Sequence, residues 1–443
     1  MHRTYPDCRA GFAGRDTPVV RATERSTLAS GSDPRRSLGS VSQSRVGLLV
    51  EDRERRLLAL LGLAILFEGY GRSLPSTTLA EIGSDLHVTS ADLSFALALI
   101  AAGALGVILL GGLADRIGRR RVLLVCIAGY GVLGALTGLA RTLPGLVAWQ
   151  AAARMFQEGA LTTAAVVATE EMPAARRGAA QGVLGLVNQL GAGIAGLALA
   201  IVRLVPGGWR GLMVLNLAPL AALPFLRRAL PESHRWSAER RATRMPLPRS
   251  YHARLAAAVA VAFLAMSYDV AGFAFTAYLP ITEYGWSPAA TSAMIIVAGG
   301  LGLPGWWVGG EVADRLGRRP GAIVFLLGLT VAETVFFRLG ASGLWTGFGT
   351  MVFFQSGKTA ILRAWMTELF PTAWRASASS WLSAAATLGG ISGLAMAGAL
   401  APRVGGIGPA LTLVAGAGVL AAAGSTLLPE TRALELEAIA PDP

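Results

Sequence analysis

Charge is what this chain has least of. Charged residues are only 15% of the sequence and apolar residues 53%, a balance foreign to soluble domains. Cysteine is almost missing as well, and Cys8 and Cys126 supply neither a disulfide framework nor a metal site. No Ser/His/Asp grouping, metal-ligand cluster or phosphate-binding glycine loop appears, so neither an enzyme nor a cofactor is expected. Lysine occurs once, as Lys358; every other member of the 39 Lys and Arg is arginine. Arg35-Arg36-Ser37 hints at a twin-arginine signal, but no apolar stretch follows it, which excludes that reading.

What is present is apolar runs. A membrane-spanning helix needs ~20 mostly apolar residues, and such runs lie near 57–79, 91–113, 121–141, 143–168, 178–204, 209–230, 254–280, 289–310, 320–338, 341–366, 376–400 and 406–428. The pattern predicts an all-α membrane protein. The net charge of +12 invites a nucleic-acid reading, but its distribution opposes one. Most arginines between runs fall in alternate loops, and the other loops hold only Arg141, Arg203, Arg210, Arg338 and Arg403. The positive-inside rule then places both termini in the cytoplasm of a plasma (inner) membrane.

One stretch recurs. GGLADRIGRRR, 111–121, returns as GGEVADRLGRR, 309–319, and Gly111, Asp115, Arg116, Gly118, Arg119 and Arg120 match Gly310, Asp314, Arg315, Gly317, Arg318 and Arg319 at one offset. A carboxylate at a helix C-terminus is misplaced unless paired, so Asp115 is expected to have a partner. Gly118 is expected to take a left-handed turn, and Gly111 to allow close helix approach. A charge pair that breaks and reforms at a helix junction is a latch; the plainer alternative is a basic turn that only sets topology. A second repeat aligns Phe156, Gln157, Gly159, Thr169, Glu170, Pro173 and Arg177 with Phe354, Gln355, Gly357, Thr367, Glu368, Pro371 and Arg375.

These motifs resemble a known family. The loop resembles G-x-L-A-D-R-x-G-R-R, the signature between helices 2 and 3 of the major facilitator superfamily; the second copy departs from it at Val312. The resemblance covers roughly residues 55–435. It implies twelve transmembrane helices in two pseudo-symmetric six-helix bundles and alternating access to one central site. Glu170 with Arg177 and Glu368 with Arg375 resemble the family's E-x-x-P-x-x-x-R element, which implies bracing of the inward gate. FEGYG in helix 1 resembles the F-D-G-Y-D of metabolite–proton symporters, aromatic-acid carriers among them, with Glu68 for the first acid and Gly71 for the second. LPESHRW and LPETRAL resemble helix ends of sugar porters and organic-ion carriers, yet helix 7 lacks the paired glutamines that sugar porters carry.

The expected organisation is a disordered tail over 1–52, a bundle over 53–230, a linker over 231–253, a second bundle over 254–429 and a tail over 430–443. Charges at mid-bilayer cost ~2.5–3.5 kcal/mol on insertion scales and so tend to face a cavity and have a function. Glu68, Arg154, Glu158, Asp269 and Lys358 are such charges. Glu68 and Asp269 are the candidates for protonation; Arg154 and Lys358 are the candidates for holding an anion. Plainer readings stand beside these: Arg154 with Glu158 and Glu68 with Arg72 as local ion pairs four apart, Asp269 as a helix-packing residue, and Lys358 as a snorkelling residue. Glu333, Arg338 and Arg363 are read as peripheral or gate-side.

The function that follows is a monomeric secondary active transporter in the lipid bilayer, moving a small polar, anionic metabolite by proton-coupled symport. The alternatives are a proton-driven efflux antiporter and, from another class, a non-transporting sensor on the same scaffold.

Overall fold

The computed structural model describes residues 34–172, 177–229, 249–371 and 374–432. Residues 53–443 form one compact unit, separate from 1–52. All regular structure among the described residues is helical: α1 (Pro34–Thr77), α2 (Leu79–Leu86), α3 (Ser90–Ala102), α4 (Val107–Ile117), α5 (Arg119–Leu136), α6 (Leu143–Glu171), α7 (Arg177–Ala200), α8 (Trp209–Val214) and α9 (Ala218–Ala229). The second half continues with α10 (His252–Ala274), α11 (Tyr278–Thr282), α12 (Pro288–Gly302), α13 (Gly305–Arg315), α14 (Arg318–Arg338), α15 (Leu344–Glu368), α16 (Arg375–Val404), α17 (Ile407–Ala415) and α18 (Ala417–Ser425). Short 3₁₀ turns join several of them.

The first helix reaches into the stretch expected as a tail. α1 begins at Pro34, where a proline's missing N–H would have had no helical partner in any case; residues 1–33 lie outside the described ones. The expected linker also lies outside them up to residue 248.

Ten stretches of the described chain are helical, long and apolar enough to cross a membrane. The predicted runs at 143–168 and 341–366 are the helices α6 and α15, of 29 and 25 residues. They are less apolar because they carry Arg154, Gln157 and Glu158, and Gln355, Lys358 and Arg363.

Three helix starts distant from the duplicated loops are capped by side chains. Thr89 and Asp92 form a reciprocal capping box at α3, Thr142 accepts from the Gly145 N–H at α6, and Ser287 accepts from the Ala290 N–H at α12. At the loops, α4 passes to α5 through Gly118 (φ 101°, ψ 144°) and α13 to α14 through Gly317 (φ 116°, ψ 159°). This differs from the compact left-handed turn expected of Gly118. It is an extended backbone at positive φ, a region essentially confined to glycine.

The internal repeat extends to packing. The Gly129 position on α5 is filled by the Phe156 ring from α6, and the Gly328 position on α14 by the Phe354 ring from α15. Gly111 behaves otherwise than expected: a Cβ built there meets nothing within 4 Å, and the same holds for Gly310. Close approach falls one position earlier, where Gly309 packs on Gly357.

The apolar core divides unequally along the helices. At the end away from the duplicated loops, one cluster unites both halves, from Leu74, Leu93 and Leu199 to Phe275, Met294, Phe336 and Leu394. Two hydrogen bonds cross between the halves there: Ser94 Oγ donates to the Leu394 carbonyl and Ser292 Oγ to that of Gly196, each at 2.7 Å. At the loop end the core is split. One cluster draws only on Leu57–Leu226 and the other only on Ala258–Leu428. The halves are thus sealed together at one end and carry separate cores at the other.

Candidate functional site

The expected mid-helix charges fall into two groups. The first lies between α1, α6 and α7. Glu68 is completely buried; Arg72, one turn on, sets its Nε 3.4 Å from Glu68 Oε1 and its Nη1 3.8 Å from Glu158 Oε1. Arg154 Nη2 is 3.1 Å from the same Glu158 oxygen. Asn188 ties the group to α7, accepting from Arg72 Nη2 at 2.6 Å and donating its Nδ2 to Glu68 Oε2. Two guanidiniums thus face two carboxylates. The side chains of Arg72, Arg154 and Glu158 keep 27%, 22% and 22% of their surface open, so the group has a dry root at Glu68 and an open rim.

Arg72 is what sequence reasoning undervalued. It was read as a local partner of Glu68, whereas it bridges two acids and an amide. Asn188 is the signal that could have found this, one buried amide among apolar residues of α7. The structure also accounts for Gly71 in the place of the second acid of the F-D-G-Y-D pattern. A Cβ there collides with Asn216 Oδ1, so Asn216 occupies the room a longer residue would need.

The second group lies between α10, α14 and α15. Lys358 Nζ donates to Asp269 Oδ2 at 2.5 Å, and both side chains are almost wholly enclosed. The ammonium also stands 5.7 Å from the centre of the Tyr268 ring. Lys358 thus takes its partner from another helix, and in this conformation Asp269 occupies its ammonium. Glu333, read as peripheral, is instead fully buried beside this pair. No ion pair joins the two groups among the described residues.

Of the expected gating residues, the side chains of Asp115, Glu170 and Arg177 lie outside the described ones. Arg116 is exposed; Arg119 and Arg375 are half-buried. The second loop is explicit. Arg318 Nη1 lies 2.6 Å from Asp314 Oδ1, and its Nη2 3.2 Å from Glu368 Oε1. Arg315 pairs instead with Glu311 at 2.6 Å on the surface. Thr431 Oγ1 donates to Glu368. Glu430 accepts the backbone N–H groups of Arg318 and Arg319 at 2.9 Å each, which places a carboxylate at the N-terminus of α14. Burial would raise the Glu430 carboxyl; the N–H groups of Arg319, Arg318, Arg432 and Thr431 outweigh it and hold it below the ordinary carboxylate range. Trp365 is buried with its indole N–H donating to the Pro429 carbonyl at 3.0 Å. Among the described residues no cluster of metal-ligating side chains occurs.

A sequence profile described as the Major Facilitator Superfamily matches residues 61–354. A putative niacin/nicotinamide transporter of Bacillus subtilis (strain 168) is 25% identical over 363 residues, which cover 79% of this chain and 89% of that one. A gallate transporter of Pseudomonas putida is 26% identical over 397 residues, covering 78% of this chain and 85% of that one. Among solved structures, a D-xylose-proton symporter superposes with a TM-score of 0.71 over 84% of this chain and 98% of that one, at 18% identity. A likeness at that identity speaks for the fold alone.

Proposed function

We propose, from the premise that the chain belongs to the Major Facilitator Superfamily, that it is a secondary active symporter carrying a small anionic metabolite together with protons. Membership makes it a multi-pass membrane transporter of metabolites, and its relatives are transporters, not enzymes. The finer reading is ours: twelve spans in two six-helix bundles, α6 and α15 being the two polar spans; a monomer; both termini at the duplicated-loop end; and that end in the cytoplasm of the inner membrane, as the arginine bias favours. With that orientation the conformation described is sealed outside, and its two halves part inside.

The observation that carries the substrate class is the open rim of the first group. Arg72 and Arg154 keep partly open side chains beside a completely buried carboxylate. A guanidinium matches a carboxylate in two parallel hydrogen bonds. An incoming anion competes with Glu68 and Glu158 for these cations, and an acid that loses its cation in a dry site takes up a proton. Binding of anion and proton then favour each other, which is the coupling symport needs. Asp269 and Lys358 repeat this logic in the second half, with Lys358 free for the anion only after Asp269 is protonated. The relatives named for niacin and gallate are in keeping with a carboxylated cargo. The loop at Asp314, Arg318 and Glu368, and its counterpart at Asp115, Arg119 and Glu170, serve as latches between conformations.

Uptake into proteoliposomes tests this directly. Labelled nicotinate and gallate are offered with and without an inward proton gradient, against neutral nicotinamide and xylose. Gradient-driven accumulation of at least one carboxylate is expected. Uptake confined to the neutral compounds, or indifferent to the gradient, overturns the reading.

A further inference from the structure

Glu333 sits on α14 five residues before Arg338, within the part of the molecule that the united core seals. Its side chain is fully buried, and neither carboxylate oxygen has a hydrogen-bond partner among the described residues. It presses on the backbone of α10, where a Cβ on Gly272 would lie 2.6 Å from Glu333 Oε1. Gly272 is one turn from Asp269. Ala332 and Phe336 flank Glu333 on its own helix, with Tyr268 and Ala271 nearby on α10.

The charged groups facing it can be named element by element. α10 brings Asp269 and the Tyr268 phenol, and α15 brings Lys358. α17 and α18, which pack along α14, contain no ionisable residue. On α13 the charges Glu311, Asp314 and Arg315 are at the opposite end. Two carboxylates therefore share one ammonium, and Asp269 holds it. Fully buried, an ionised Glu333 would have neither a counter-ion of its own nor a hydrogen bond, whereas the neutral acid leaves only an ordinary polar group unpaired.

We propose that Glu333 is a proton-binding site of the transporter, occupied in the conformation described here and emptied when Lys358 leaves Asp269 for it. On emptying, the O–H bond of the carboxylic acid breaks and the proton passes to water that enters as the sealed end opens. The negative charge left on Glu333 is met by the Lys358 ammonium, and Asp269 is released to the entering water. Closing the end expels the water and favours the protonated acid again. The use of this proton in transport rests on the symport reading; its binding does not.

Infrared difference spectroscopy of the full chain in liposomes, with a pH jump as the only perturbation, tests the site. The wild type at neutral pH is expected to show the carbonyl stretch of a protonated carboxylic acid in apolar surroundings. Glu333→Gln, nearly the same in shape, should lose that band and Glu333→Asp should displace it. Asp269→Asn should also lose it, because Lys358 then turns to Glu333 and ionises it. An unchanged band in Glu333→Gln overturns the site, and a persisting one in Asp269→Asn overturns the exchange of the ammonium. Nicotinate uptake in the same liposomes separates this from the symport reading. Absence of gradient-driven uptake in the wild type with the band intact sinks symport and leaves the proton site. Gradient-driven uptake with no band sinks the site and leaves symport.

Discussion

Lys358 carries the sharpest consequence of burial at the level of single residues. Its partner Asp269 is enclosed with it, so removing the ammonium strands the carboxylate, at a cost of about 3–5 kcal/mol for breaking a buried pair. Lys358→Gln is therefore expected to fall several degrees in Tm. The double variant Lys358→Gln/Asp269→Asn should recover most of that loss while remaining inactive in uptake. Melting curves of the three purified proteins decide it; a single variant as stable as the wild type refutes the pairing. Glu68 makes a different case, because Arg72 keeps Glu158 as a counter-ion when Glu68 is made neutral. Glu68→Gln should abolish accumulation against a proton gradient yet retain substrate exchange. Concentrative uptake by that variant would reduce Glu68 to a packing partner of Arg72. At this scale the sequence showed which charges are too deep to be incidental, but not how they pair. Glu333 looked peripheral because helical spacing gives depth along α14 and says nothing of which neighbour covers it. Position in the repeat is a signal that was open to use: Arg154 and Glu158 align with Val352 and Ser356, and Lys358 with Ala160. The charges stand where the two copies disagree.

Among the elements, the packing glycines and the loops are where the copies agree, and these were legible as repeats before any contact was known. What could not be read was the docking of Glu430 on the start of α14, since the two lie more than a hundred residues apart and neither motif points to the other as its partner. The carboxylate is stabilised in its charged form by backbone N–H groups, so its folded pKa lies below its unfolded value. The contribution is then present above the ordinary glutamate pKa of about 4.3 and is lost as pH falls through the lower folded value. Glu430→Gln is expected to raise amide exchange at Arg318 and Arg319 at neutral pH, consistent with a loss on the order of 0.5–1 kcal/mol at an exposed helix start. In the wild type, the same change should appear only below about pH 4. Equal protection in both proteins at neutral pH would remove Glu430 from the latch.

For the whole molecule, the membrane character and the repeated architecture follow from long apolar runs, and the conformation does not. The seal at the closed end is built from residues such as Ser94, Gly196, Ser292 and Leu394, none of which stands out in a chain rich in small and apolar side chains. Two hydrogen bonds of about 1 kcal/mol each bias that seal. Ser94→Ala with Ser292→Ala should move the population toward the opposite opening by up to roughly thirtyfold. Electron–electron distance measurements between spin labels placed across that end read the shift directly; an unchanged distance distribution rejects it. The lone lysine adds a tool that needs no engineering. Side-chain amines are confined to one position, and in the closed arrangement that amine is clamped on Asp269 and shut away from solvent. A small amine-selective acylating reagent therefore meets a side chain it cannot reach until the pair parts, and the mass added over time to the peptide that holds Lys358 becomes a clock for how often the enclosed half of the site opens.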